Sequence, residues 1–321
     1  VMSRKRVVAA AQLGPIARSE SREQVVKRLL ALLAEARGKG VGFIVFPELA
    51  LTTFFPRWMM EDEAELDSFY EGKLPGPAAE PLFDAAKAAG IGFYLGYAER
   101  FVEAGRVRRF NAAITVAPTG EIVGKYRKVH LPGHAEPQPN RAFQHLEKRY
   151  FEPGDLGFPV FEALGGRVGM LICNDRRWPE GYRVMGLQGV ELVCLGYNTP
   201  LDHANHETIN VLSGFHNALS MQAGAYQNAS WVIGTAKCGR EEGSLMLADS
   251  MIIAPSGEIV ARATTMEDEL VAATIDLDMG LPYKETFFDF ARHREPTSYG
   301  LIIERKGAGD MLPPARGAGI D

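Results

Sequence analysis

Cysteine is scarce: three in 321 residues, Cys173, Cys194 and Cys238, odd in number and far apart. Without a CxxC pair there is no zinc ribbon and no thioredoxin-type motif, and a reducing compartment is the natural reading. Long apolar runs are missing too. No segment approaches the ~18 apolar residues a membrane span needs. The short run Val7–Ala11 falls below a signal-peptide core and reads as a first strand. Basic charge is not in excess: 35 Lys and Arg face 40 Asp and Glu, for a net charge of -5. That balance argues against a nucleic-acid stripe and against attraction to anionic lipid. There is no GxxxxGK[ST], and Gly90-Ile91-Gly92 does not complete a GxGxxG cradle. GxSxG and HExxH are absent as well, and the pairs His130/His134 and His203/His206 sit in loop-like segments poor for a metal. A cytoplasmic protein is expected, without metal, nucleic-acid or membrane partner.

What remains is ordinary globular chemistry, 46% hydrophobic and 23% charged. Strand-like and helix-like patterns alternate, which points to an α/β fold. Ser21-Arg22-Glu23-Gln24 is a capping box opening a helix that stops at Gly38 and Gly40. Strands are predicted at 42–46, 92–97, 167–173, 190–195, 231–236, 251–254 and 270–275, and helices at 80–89 and 213–227. A hairpin is predicted from Asn111 to Lys125, and 129–159 reads as a long ordered loop region. Ala117-Pro118-Thr119-Gly120-Glu121-Ile122-Val123 recurs as Ala254-Pro255-Ser256-Gly257-Glu258-Ile259-Val260, and Gly40–Val45 is echoed by Gly189–Cys194. The shared order implies two related halves within one domain, residues 1–304. The Gly- and Pro-rich tail, 305–321, cannot form a regular element.

Three strand ends could carry chemistry. Val168–Ile172 delivers Cys173 at its carboxyl end, where ligands of open α/β sheets sit. A following helix start and two arginines, Arg176 and Arg177, predict an exposed sulfur with a lowered pKa. A thiol attacking a carbonyl needs a base and a cation for the oxyanion. Glu48 ends the run Phe43–Pro47, and Lys128 follows a hairpin arm. Arg176 and Arg177 suit a carboxylate clamp; a structural ion pair, or a field acting on the cysteine, is the alternative.

Phe46-Pro47-Glu48, Gly124-Lys125-Tyr126-Arg127-Lys128-Val129-His130-Leu131 and Cys173-Asn174-Asp175-Arg176-Arg177-Trp178-Pro179-Glu180 resemble the three motifs of the nitrilase (carbon–nitrogen hydrolase) superfamily. The resemblance runs from Val7 to Glu304. Within it, Phe54–Trp58, His130–His134, Gln144–Phe151, Cys173–Glu180 and, in addition, Gly196–Pro200 are similar to the N-carbamoyl-D-amino acid amidohydrolases. The likeness implies a four-layer α-β-β-α sandwich with two pseudo-symmetric halves, assembled as a homodimer or homotetramer. It implies no cofactor. Cys173 would be the nucleophile, Glu48 the general base, Lys128 the oxyanion cation and Glu147 the glutamate beside that lysine. His145, Asn174, Arg176, Arg177, Asn198 and Thr199 would line the pocket for a small-molecule N-carbamoyl amino acid, with His130 and His216 shaping it. Residues 135–142 and 201–211 depart from the subfamily pattern, so side-chain preference stays open. The rival readings are another amidase or nitrilase of the superfamily, a catalytically silent interaction module, and a metal-dependent amidohydrolase.

Overall fold

In the computed structural model, residues 3–139, 141, 143–201 and 207–308 are described. The first strands show why two layers form on either side of one sheet. In β1 (Lys5–Gln12), Val8 and Ala10 face one cluster while Ala9 and Ala11 face another. In β2 (Phe43–Val45), Phe43 and Val45 likewise part from Ile44. Side chains alternate across a strand, so a strand apolar on both faces must be covered twice.

The first sheet continues through β3 (Gly92–Glu103), β4 (Arg106–Val116) and β5 (Ile122–Arg127). The second holds β6 (Val160–Ala163), β7 (Gly166–Ile172), β8 (Leu192–Tyr197) and β9 (Trp231–Ala236). A separate hairpin, β10 (Cys238–Glu241) and β11 (Ser244–Leu247), precedes β12 (Met251–Ile253) and β13 (Ile259–Arg262), which complete the second sheet. Finally β14 (Glu269–Asp276) returns to pair antiparallel with β1.

Pairing in the two halves is the same. β1, β2 and β3 are parallel neighbours followed by antiparallel β4 and β5. β7, β8 and β9 are parallel neighbours followed by antiparallel β12 and β13. The inner faces meet through Val8, Phe43, Val45 and Tyr94 against Met170, Cys194 and Ile233. Helix α1 (Arg22–Gly38) is followed by a six-residue α2 (Glu63–Ser68) and is joined by α3 (Glu80–Ala89) over the first sheet, through Val25, Leu29, Leu82 and Phe83. A single turn, α4 (Glu147–Tyr150), precedes α5 (Pro179–Leu187). Beyond α6 (Glu207–Val211), α7 (Ser213–Asn228) joins α5 over the second sheet through Tyr182, Met185, Met221 and Ala225. The four-layer α-β-β-α sandwich is therefore the observed architecture.

Several boundaries differ from the sequence reading. β3 runs on to Glu103 and turns through Ala104 and Gly105, both at positive φ (49° and 80°), into β4. Its outer part is charged and exposed, so apolar patterning does not reveal it. β8 starts at Leu192 because the Val190 N–H bonds back to Met185 O and closes α5. The region 129–159 carries α4 within otherwise irregular chain. His203 and His206, and 309–321 of the tail, lie outside the described residues.

Candidate active site

Glu48 lies just past β2, and close packing fixes its backbone. A Cβ on Gly96 would come within 2.6 Å of Pro47 O, and one on Gly196 within 2.2 Å of Glu48 N. One glycine belongs to each sheet, so both sheets press against the Pro47–Glu48 peptide. The Glu48 carboxylate is fully buried. Its Oε1 accepts from Lys128 Nζ (2.8 Å) and Asn111 Nδ2 (2.8 Å), and its Oε2 accepts from the Asn198 N–H (2.8 Å). Asn198 Nδ2 donates to Glu48 O at 3.0 Å.

Lys128, past the end of β5, is also fully buried and donates to Glu147 Oε2 at 2.6 Å. The other Glu147 oxygen pairs with His145 Nε2 at 2.9 Å. Burial works against the Lys128 charge, but Glu147 and Glu48 outweigh it and raise its pKa above the usual lysine range. Burial likewise opposes the Glu147 charge, and Lys128 and His145 overcome it, holding that pKa at about 2. The pair is ionised at neutral pH. An ammonium has three N–H donors; two of those on Lys128 go to Glu147 and Glu48, which leaves one for another acceptor.

Cys173 follows β7 at φ 48°, the left-handed region, and opens a short 3-10 turn, Cys173–Arg177. The expectation of an exposed sulfur with a lowered pKa is corrected here. Cys173 is 3% exposed, and burial, followed by the Glu48 charge, pushes its pKa up against the opposing pull of Lys128 and Arg176. A neutral resting thiol under the influence of the Glu48 carboxylate is the result. Sγ lies 3.8 Å from Asn198 O and 3.9 Å from Arg176 Nη1.

The two arginines differ. Arg176 is buried, donating from Nε to Asn217 Oδ1 (2.8 Å), from Nη1 to Cys173 O (2.7 Å) and from Nη2 to Thr199 Oγ1 (2.9 Å). Its guanidinium also covers the Tyr197 ring. Arg177 is exposed, with one hydrogen bond to Asn174 Oδ1 (3.3 Å) among the described residues. The structure thus brings Glu48, Lys128, Glu147, His145, Cys173, Asn174, Arg176, Arg177, Asn198 and Thr199 to one end of the sandwich. His130 stacks on Trp178 (ring centroids 5.1 Å apart) and bonds through Nδ1 to Asp175 Oδ1 (2.8 Å). His216 is exposed on α7, with its ring against that of Phe215 (centroids 5.7 Å apart). No group of three or more metal-ligating side chains occurs among the described residues.

Two further residues belong to the site. Asn111 holds Glu48, and its carbonyl accepts from the Lys128 N–H at 2.8 Å; a lone amide opening the apolar arm Asn111-Ala112-Ala113 was the available signal. Asp175 gathers the Ile172 and His130 N–H groups and the Tyr126 hydroxyl, fixing the turn that carries Cys173.

Comparison with known proteins agrees with this geometry. The carbon-nitrogen hydrolase family profile matches residues 7–285. A nitrilase of Pyrococcus abyssi is 29% identical over 77% of this chain and 81% of its own length. An N-carbamoylputrescine amidase of Arabidopsis thaliana is 29% identical over 86% of this chain and 89% of its own. The crystal structure of a carbon-nitrogen hydrolase from Helicobacter pylori superposes with a TM-score of 0.80 at 22% identity, covering 94% of this chain and 99% of that one. The chain belongs to the carbon-nitrogen hydrolase family, the nitrilase superfamily, and is a hydrolase of carbon–nitrogen bonds.

Proposed function

We propose that the protein removes the carbamoyl group of N-carbamoyl-D-amino acids, giving the amino acid, carbon dioxide and ammonia through a Cys173 S-acyl intermediate. The observation that carries this reading is the buried Glu48–Lys128–Glu147 network beside Cys173, with an uncommitted arginine, Arg177, at its exposed edge. Glu48 takes the thiol proton as Sγ attacks the ureido carbonyl carbon. The remaining Lys128 N–H stabilises the tetrahedral oxyanion, where a preorganised cation in a dry site is most effective. As the oxyanion collapses, the terminal C–N bond breaks and ammonia leaves with the proton from Glu48. Water, deprotonated by Glu48, attacks the thioester-like carbon and displaces Sγ, and the released carbamic acid decays to carbon dioxide and the amine. Asn198 Oδ1 is buried without a hydrogen-bond partner among the described residues, which suits an acceptor for a ureido N–H.

The name of the N-carbamoylputrescine amidase relative points to a substrate with an N-carbamoyl group as well. The exposed Arg177, with one hydrogen bond among the described residues, supports an anionic distal end here. Preference for the D enantiomer rests on the subfamily resemblance of Phe54–Trp58, His130–His134, Gln144–Phe151, Cys173–Glu180 and Gly196–Pro200. A cytoplasmic location accords with three unpaired cysteines and with no described helix long and apolar enough to cross a membrane.

The test is ammonia release from a panel: N-carbamoyl-D-alanine, its L enantiomer, N-carbamoylputrescine, N-propylurea and propionamide, with and without chelator. Fastest turnover of the D acid, unaffected by chelator and abolished in Cys173→Ala, is expected. Preference for N-carbamoylputrescine or propionamide would overturn the substrate assignment, and turnover by Cys173→Ala would overturn the nucleophile.

A further inference from the structure

A second set of buried charges lies outside the catalytic cluster, on the hairpin β10–β11. Glu241, at the end of β10, is fully buried, as is Lys237, and Arg57 is 3% exposed. Glu241 Oε1 accepts from the Phe54 N–H (2.7 Å), Thr53 Oγ1 (3.2 Å) and Arg57 Nη2 (2.6 Å). Its Oε2 accepts from the Ile16 N–H (2.9 Å) and Lys237 Nζ (3.3 Å). Arg57 adds Nη1 to Glu241 O (2.6 Å) and Nε to Phe54 O (2.9 Å), and Lys237 Nζ donates to Thr52 O. One carboxylate therefore pins the whole segment 52–57. Burial alone would oppose that charge, but Lys237, Arg57 and the Ile16 and Phe54 N–H groups keep the Glu241 pKa below its ordinary value.

The pinned segment leads directly to the catalytic lysine. Arg57 O accepts from the Gln144 N–H (2.9 Å) and Pro56 O from the Leu146 N–H (2.8 Å), so 144–146 is laid onto 56–57. Phe54 meets the His145 ring edge to face, with centroids 5.4 Å apart. His145 holds Glu147, and Glu147 holds Lys128. The same hairpin ties down the opposite wall, where the Leu247 N–H donates to Thr199 O at 2.7 Å and the Leu201 N–H to Leu245 O at 2.8 Å.

We infer that Glu241 is a positioning residue: with Arg57 it braces segment 52–57 so that His145 and Glu147 hold the Lys128 ammonium where the oxyanion forms. The inference rests on the catalytic reading proposed above. A displacement of about 1 Å can cost ~10²-fold in rate, so Glu241→Gln should lower kcat by ~10–10²-fold with KM within ~3-fold. The assay uses the full chain and whichever panel compound the wild type turns over fastest.

Two readouts separate a brace from general damage. Alkylation of Cys173 by iodoacetamide forms no oxyanion, so its rate should stay within ~3-fold of wild type. Because Glu241 acts through Glu147, its loss should cost less than ~3-fold in a Glu147→Gln background. Should Glu241→Gln fail to give a native near-ultraviolet circular dichroism spectrum, Arg57→Lys decides by the same criteria, since it keeps the charge but loses the fork. Wild-type kcat in a folded variant, or losses that multiply with Glu147→Gln, would overturn the brace. Wild-type kcat in Glu147→Gln itself would overturn the Lys128–Glu147 reading, and the brace with it.

Discussion

Arg176 and Arg177 stand next to each other, yet one points its donors at the protein and the other at solvent. Arg176 bonds the Cys173 carbonyl, Asn217 and Thr199, which supports the structural alternative for that residue; Arg177 keeps most of its donors. A hydrogen bond to a charged group is worth ~1.5–3 kcal/mol, and 1.4 kcal/mol is a factor of ten. Arg177→Ala should therefore lower kcat/KM for the N-carbamoyl acid at least ~10-fold and leave N-propylurea nearly unchanged. Arg176→Ala should impair both alike, and a matching pattern in the two variants would show that neither reads the carboxylate. Glu147 makes a separate prediction about pH. Its folded pKa, about 2, lies below the ordinary 4.5. The pair's contribution to stability is thus complete above about pH 4.5 and is lost as pH falls toward 2. Lys128 is shifted upward, so its contribution is complete below its ordinary 10.5 and goes only on more alkaline titration. Urea midpoints measured between about pH 6 and pH 3 should fall more steeply for wild type than for Glu147→Gln. Parallel curves would mean the pair does not titrate with unfolding.

At the scale of elements, the strand ends matter more than the strands. Gly196 sits in β8, where any side chain would collide with the Glu48 peptide. Gly196→Ala should displace Glu48 and cost ~10²-fold or more in kcat. Gly38, at the end of α1, has nothing within 4 Å of an added Cβ and no positive φ. Gly38→Ala should keep full activity and raise stability by ~0.4–1 kcal/mol, as judged by urea denaturation. A fully active Gly196→Ala would show that the sheets do not clamp Glu48. The sequence announced α1 clearly, since its capping box forms as read, with Ser21 accepting from the Gln24 N–H and Gln24 from the Ser21 N–H. It did not announce β10–β11, because Cys238–Glu241 is short, mixed in polarity, and buried by docking against segments 13–16 and 52–57. Long-range burial of charge leaves no local periodicity to read.

Across the whole molecule, the two halves share strand pairing but not chemistry. The offset that aligns Gly40–Val45 with Gly189–Cys194 brings Tyr197 onto Glu48, and the Tyr197 hydroxyl donates to Asp249 O (2.6 Å), tying down the chain before β12. The outer face of the second half also differs: Leu187, Phe215, Leu219, Ile302 and Ile303 are 48%, 60%, 50%, 59% and 88% exposed. So much apolar surface around α5, α7 and the 300–304 turn accords with the dimer or tetramer that the family resemblance leads us to expect. Sedimentation should give an oligomer for the wild type and a smaller species for Leu187→Glu/Ile303→Glu; a monomeric wild type would remove this expectation. The sequence by itself determined the alternation of elements, the repeated halves, and the strand-end residues Glu48, Lys128 and Cys173, because periodicity and turn chemistry are local. Only the tertiary structure decided that the Cys173 thiol is buried with a raised pKa, that Arg176 is committed while Arg177 is not, and that Asn111 meets Glu48, Asp175 gathers the turn at Cys173 and Glu241 is buried against segment 52–57. Those outcomes depend on desolvation and on partners up to 225 residues away in the chain, which close packing of two sheets creates and no local pattern encodes.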